Sequence, residues 1–150
     1  MKRTLVLLVA VAAVSLAATA NAALRPASAT KALHVTKECS EYFGNAGQFC
    51  TITASNIAAI EPGMKVVYLS DLGGNGVLDI DIVLSSGRSG TATGHVVLDP
   101  NTRQGRVTFA GGTGKFTQFR ADVDVSLDMA TGLWHWDGTY SYGQSGPGAD

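Results

Sequence analysis

Apolar and polar residues alternate along most of the chain beyond residue 49. In the segment 119–127, apolar residues occupy every odd position, and polar or charged residues occupy every even position. The segment 77–84 shows a similar alternation, with Leu78, Ile80, Ile82 and Leu84 on its apolar side. A period of two is typical of strands that turn one face to a core and the other to water.

Further strands are predicted over residues 49–54, 64–70, 91–98, 105–109 and 133–142. The breaks between them are rich in glycine, proline and asparagine, which favour turns. No window shows sustained apolar spacing at the helical period, and short strands with regularly spaced turns favour a sandwich or a barrel. We predict an all-β fold, a closed antiparallel β-barrel of about eight strands, because closure removes exposed strand edges.

The N-terminus has the features of a signal peptide. Lys2 and Arg3 precede an apolar run over residues 5–18, and an A-x-A cleavage pattern follows at residues 20–22. We predict a signal peptide over residues 1–22, a loosely ordered lead-in over 23–36 with pairing at 33–35, and a barrel domain over 37–150. A retained anchor is the alternative, but the run is shorter than the ~20 apolar residues that a span needs. The mature protein is therefore expected to be secreted or periplasmic, without membrane association.

Composition and charge narrow the possible partners. The chain has 150 residues, of which 45% are hydrophobic and 15% charged, as expected for one packed domain. Removal of the leader takes away two of the 11 basic residues, which leaves 9 against 12 acidic residues and a formal charge of −3. We expect no nucleic-acid partner, since phosphates require a basic face.

The two cysteines, Cys39 and Cys50, lie close together in a chain that is predicted to be exported. Oxidising compartments favour pairing, so we predict a disulfide between them. Closing so short a loop contributes about 3 kcal/mol in the chain-entropy model. The bond would fix the segment that carries Tyr42 and Phe43 to the first strand.

A glycine-rich turn joins the two strands of the hairpin 105–127, and Phe116 is expected to fold back over its mouth. The run FAGGTGKFTQFRA resembles the GGTGxFxxARG signature of the plant dirigent proteins and the allene oxide cyclase barrel superfamily. GHVVLDPNTRQGRVTF and WDGTY extend this likeness over residues 90–142. The matching positions are Gly111, Gly112, Thr113, Gly114, Phe116 and Arg120, whereas Phe119 and Ala121 depart from the pattern. The resemblance implies a calycin-like barrel, activity without a metal or organic cofactor, and homodimers or homotrimers.

Two charged residues are candidates for catalysis. The resemblance implies that Arg120 lies near the pocket, where it would bind an anion or oxyanion. Asp79, one of the acids on the predicted strands, would supply a carboxylate if it faced the lumen. Acids that share a dry lumen would repel each other, which raises one pKa and creates an acid/base pair. The alternative is that both residues face water in ordinary cross-strand pairs, because burying unpaired carboxylates costs several kcal/mol each.

Aromatic residues are the candidates for ligand binding. Trp134, Trp136 and Tyr140 occupy even positions of the last predicted strand and would present their rings on one face. We predict that they bind a small apolar or aromatic molecule together with Tyr68, Phe109 and Phe119. The alternative is that these rings fill a small barrel or cover a subunit contact.

Other chemistry has little support in the sequence. His34, His95 and His135 lack the spacing of metal ligands, so we expect no metal. No nucleophile system of the Ser/His/Asp or Cys/His type is visible. The leading hypothesis is a secreted barrel that binds a small apolar ligand in its lumen. The second is a dirigent-like cyclase or isomerase that steers a reactive intermediate without a cofactor, and the third is a structural protein with a filled barrel.

Overall fold

The computed structural model describes residues 29–74 and 76–143. In these ranges the chain forms eight β-strands and two short 3₁₀ turns, Gly87–Ser89 and Gly114–Phe116. The strands are β1 (Lys31–Glu38), β2 (Phe49–Ser55), β3 (Lys65–Tyr68), β4 (Leu78–Ser85), β5 (Thr91–Asp99), β6 (Gln104–Gly112), β7 (Phe119–Leu127) and β8 (Trp134–Tyr142). The predicted signal peptide, residues 1–22, lies outside the described residues, as do positions 23–28 of the predicted lead-in.

The eight strands form one closed barrel. Each strand is antiparallel to the next along the chain, and β8 returns to pair with β1. The closing pair runs from Lys31 opposite Tyr140 to Lys37 opposite Trp134. The predicted all-β fold, a closed antiparallel barrel of eight strands, is therefore confirmed.

Strand β1 covers most of the described part of the predicted lead-in. The sequence suggested pairing only at residues 33–35, whereas Lys31–Glu38 pairs with both β2 and β8. Leu33 and Val35 are buried, with 1% and 2% of their surface exposed. Strand β1 has few inward positions, and the last of the apolar ones is followed by Lys37. The apolar pattern alone therefore underestimates the length of this strand.

The lumen has a filled half and a hollow half. Phe109, Phe116 and Phe119 form an aromatic plug at the end where β2 joins β3, β4 joins β5 and β6 joins β7. The ring centres of Phe116 and Phe119 are 5.4 Å apart, and those of Phe109 and Phe119 are 5.9 Å apart. The opposite end, where β1, β3, β5 and β7 lead into their following strands, is the open end. The lumen is therefore plugged at one end and open at the other.

The glycine-rich turn of the predicted hairpin lies at the plugged end. The backbone N–H of Thr113 donates to the carbonyl oxygen of Thr91 over 2.7 Å, which holds the turn against the start of β5. A Cβ atom at Gly112 would overlap the same carbonyl oxygen. The turn thus needs glycine for close backbone approach, and its position lets it help to cover the plugged end of the lumen.

Candidate functional site

A cavity of about 370 Å³ occupies the open half of the lumen. Volumes of roughly 300–1,000 Å³ are typical of sites for small molecules. Inward residues of the strands form its apolar wall because alternate side chains of a strand point to the same face. The wall includes Leu78, Ile82, Val96, Leu98, Val107 and Val125, with Trp134 and Trp136 from β8.

Lys37 lies in this otherwise apolar wall. It follows Leu33 and Val35 on the inward face of β1, and 4% of its surface is exposed. The pairing of β1 with β2 shifts register between Thr36 and Lys37, while the pairing with β8 continues through this point. Among the residues that the structure describes, Lys37 alone combines a charge with burial in the core.

The Lys37 ammonium group has polar neighbours, but none of them in the described part of the chain is a carboxylate. Its Nζ donates to the Tyr68 hydroxyl over 2.8 Å and lies 3.5 Å from Cys50 Sγ and 3.7 Å from Cys39 Sγ. Its distance to the ring centre of Trp136 is 5.2 Å. Desolvation by burial lowers the pKa of Lys37 from 10.5 to about 7. The amine is therefore partly neutral near pH 7.

The predicted disulfide is present and shapes the entrance. Cys39 and Cys50 are bonded, and the loop between them brings Tyr42 over the lumen. The rings of Tyr42 and Tyr68 stack with their centres 3.9 Å apart. Burial, followed by the charges of nearby tyrosine and aspartate side chains, raises the pKa of Tyr42 to about 12. Burial also raises the pKa of Tyr68, so both phenols keep their protons at neutral pH.

Two buried polar atoms at the cavity lack a hydrogen-bond partner within the described part of the chain. They are the hydroxyl oxygen of Tyr42 and the Nε1 of Trp136, and both side chains line the cavity. An unpaired buried polar group costs about 1–3 kcal/mol, which a polar atom of a ligand could recover. The site thus suits a molecule with an apolar body and at least one hydrogen-bond acceptor.

The charges around the cavity are basic. Lys37 lies inside and Arg103 lies at the entrance, and no described residue that lines the cavity is acidic. The Arg103 guanidinium contacts the Met129 sulfur over 3.0 Å on the rim. The electrostatic environment therefore favours an electron-rich or anionic end of a ligand over a cationic one.

The residues predicted to act in catalysis lie elsewhere. Arg120 and Asp79 are exposed on the outer wall, on β7 and β4, at positions that alternate with buried ones. Asp79 pairs with His95 over 2.9 Å, and Asp81 pairs with the other ring nitrogen of His95 over 2.8 Å. The contacts of Asp79 match the alternative of solvent-exposed pairs, and Arg120 is exposed, so the structure does not bring Arg120 and Asp79 to the lumen.

The predicted ligand-binding residues fall into two groups. Tyr68, Trp134 and Trp136 line the cavity, whereas Phe109 and Phe119 belong to the aromatic plug. Tyr140 packs beside Phe119 near the plugged end, with ring centres 6.1 Å apart. The alternation of β8 correctly places its aromatic side chains on one face, but it gives no information on depth along the barrel.

Lys37 is not among the site residues that the sequence pattern predicts. Lys37 lies two residues after Val35 and four after Leu33, so alternation along one strand would predict that it faces inward. The predicted lead-in ends at residue 36, and no strand is predicted across this position. In the described residues no group of three or more metal-ligating side chains is clustered, and no helix has the length and apolarity to cross a membrane.

Fold and site together define a closed antiparallel barrel with a plugged end and a small, largely apolar cavity at its open end. The chain is similar in structure to a pterocarpan synthase dirigent protein, with a TM-score of 0.48 and 14% sequence identity over 84% of this chain and 100% of that one. No family model matches the chain, and no curated protein matches it either.

Proposed function

We propose that the protein binds a small, largely apolar molecule in the open half of its lumen. The observation that carries the proposal is the cavity of about 370 Å³, walled by aliphatic and aromatic side chains above the aromatic plug. Burial of an apolar ligand there gains roughly 25 cal/mol for each Å² removed from water. The polar end of the ligand would lie towards Lys37.

The rim of the cavity supports an apolar ligand. Phe43 is 76% exposed and Leu72 40% exposed, and both line the entrance. Met129, which contacts Arg103 at the entrance, is 65% exposed. Large apolar side chains gathered at an entrance commonly mark a binding site. They would offer a first contact to an apolar molecule before it enters the lumen.

Intrinsic fluorescence tests the proposal directly. Both tryptophans of the chain, Trp134 and Trp136, line the cavity, so their emission reports on its contents. We expect 1-octanol to shift or quench this emission in a saturable way. An emission that stays constant through the accessible range of 1-octanol and octanoate concentrations would favour the third hypothesis, a barrel without a ligand.

A pair of matched variants separates binding from stability. Val125→Phe places a larger ring in the cavity wall and should abolish the response to 1-octanol. Val97→Phe makes the same exchange on the outer wall, where Val97 is 44% exposed, and should preserve the response. Thermal unfolding followed by circular dichroism checks that both variants fold. Equal responses in the two variants would place binding outside the lumen.

We do not extend the proposal to the cofactor-independent cyclase or isomerase that the resemblance implied, because Arg120 and Asp79 both face solvent. Secretion and assembly into homodimers or homotrimers stay predictions. The disulfide between Cys39 and Cys50 is compatible with an exported protein.

A further inference from the structure

Lys37 presents an amine to the cavity in surroundings that suit covalent chemistry with a carbonyl group. We propose that Lys37 forms an imine with the aldehyde or ketone group of an apolar ligand in the open half of the lumen. This inference rests on the proposed function and gives its ligand a chemical class. An imine would retain the ligand longer than apolar contacts alone.

The neighbours of Lys37 leave its amine available. Tyr68 approaches from β3, the Cys39–Cys50 disulfide lies beside Nζ, and Trp136 faces it from β8. Arg103 is the other charged residue among the described residues that line the cavity, and the Tyr42 ring stacks on that of Tyr68. A lysine held by a carboxylate would stay protonated, but no acidic side chain lines this cavity in the described ranges. Lys37 thus lacks the partner that would suppress its nucleophilicity.

The protonation state of Lys37 also favours the reaction. With its pKa lowered to about 7 by desolvation, Lys37 has about half of its amine in the neutral form at pH 7. An exposed lysine with a pKa near 10.4 has less than about 0.1% in that form. Desolvation in an apolar pocket is an established way to activate a lysine for Schiff-base chemistry.

The reaction is balanced without an oxidant or a metal. The neutral Nζ attacks the carbonyl carbon, a C–N bond forms, and the C=O π electrons move to oxygen. Proton transfer from nitrogen to oxygen gives a carbinolamine, which loses water as the C=N bond forms. The Tyr68 hydroxyl lies 2.8 Å from Nζ and can pass a proton from the nitrogen to the oxygen.

Reductive trapping tests the inference on the wild-type protein. Octanal is incubated with the protein and sodium cyanoborohydride at pH 7, and labelled lysines are mapped by peptide mass spectrometry. We expect one octyl group on Lys37, attached roughly ten times faster or more than on exposed Lys31 of the same strand. Because both lysines are read in one molecule, the comparison does not depend on a variant that folds.

Controls separate the imine from the binding proposal. Lys37→Met should lose the fast label, and Lys31→Met should keep it. If 1-octanol changes tryptophan emission but octanal labels Lys37 no faster than Lys31, the imine is refuted and the binding site stands. If octanoate binds in a Lys37-dependent way while octanal is not trapped, the site holds anions and the imine is again refuted. If neither octanol nor octanal changes the emission, the proposed function fails as well.

Discussion

Replacement of Lys37 by methionine should stabilise the folded protein at neutral pH. Methionine has a similar length and is apolar, so it can occupy the same place without a charge to desolvate. The pKa of Lys37 falls from 10.5 in its ordinary state to about 7 in the fold, because burial disfavours the ammonium form. Folding therefore lowers the proton affinity of the Lys37 amine, and the protonated form of this side chain destabilises the folded state.

The magnitude follows from the two pKa values. At 1.36 kcal/mol per pH unit, the gap between 10.5 and about 7 corresponds to roughly 5 kcal/mol of lost stability well below pH 7. At pH 7 the loss is still roughly 4 kcal/mol. The variant also removes the hydrogen bond to the Tyr68 hydroxyl, which offsets about 1–3 kcal/mol. The expected net gain at pH 7 is about 1–3 kcal/mol.

The pH dependence gives the sharper test. Below about pH 7 both folded and unfolded chains hold the Lys37 proton, and the wild type bears the full cost. Between pH 7 and 10.5 the unfolded chain binds more protons, so wild-type stability rises with pH relative to the variant. The advantage of Lys37→Met should shrink by roughly 3 kcal/mol between about pH 6 and about pH 9.5. Tyrosine ionisation in the unfolded state begins near pH 10 and sets the upper limit.

Urea unfolding followed by circular dichroism at several pH values between these limits measures the effect. Lys31→Met provides the control, since Lys31 is exposed on the same strand and should show no such trend. A constant difference between wild type and Lys37→Met across this range would show that Lys37 keeps an ordinary pKa. The account of a desolvated amine, and with it the basis for imine formation, would then be wrong.

Three further variants test the fold and the location of the site. Gly112→Ala should lower the free energy of unfolding by about 1–3 kcal/mol, because a Cβ would overlap the Thr91 carbonyl oxygen; urea unfolding measures the loss, and an unchanged midpoint would contradict it. Removal of the disulfide by Cys39→Ala with Cys50→Ala should cost about 3 kcal/mol in the same assay. Arg120→Ala should leave stability within about 0.5 kcal/mol and the fluorescence response to 1-octanol intact, whereas loss of the response would return Arg120 to the site.

The architecture could be predicted because alternation is a local property. Each of β4, β5, β7 and β8 shows its buried face in its own sequence, and eight such strands have few stable arrangements. The disulfide was also within reach, since Cys39 and Cys50 had no other partners in the sequence. Strand β1 was underestimated because its inward row ends in Lys37, which breaks the apolar pattern.

The site depended on information that alternation does not contain. The alternation within β7 and within β8 predicts that Phe119 and Trp136 both face the lumen. It does not give their depth, which the register of the two strands sets: Trp136 lines the cavity, and Phe119 belongs to the plug. The resemblance drew attention to the glycine-rich turn and Arg120, which lie at the plugged end and on the outer wall. A buried lysine is rare enough that composition gave no reason to expect one.

The division of the lumen has a consequence for how this protein can change. The aromatic plug and the glycine-rich turn support folding at one end, while the connections after β1, β3, β5 and β7 surround the entrance at the other. Mutations in those connections that retain Cys39 and its disulfide can alter the entrance of the proposed binding site without disturbing the plug. A randomised library confined to them, with Cys39 held constant, would explore new specificities of the proposed site at little risk of misfolding, and natural selection has the same freedom.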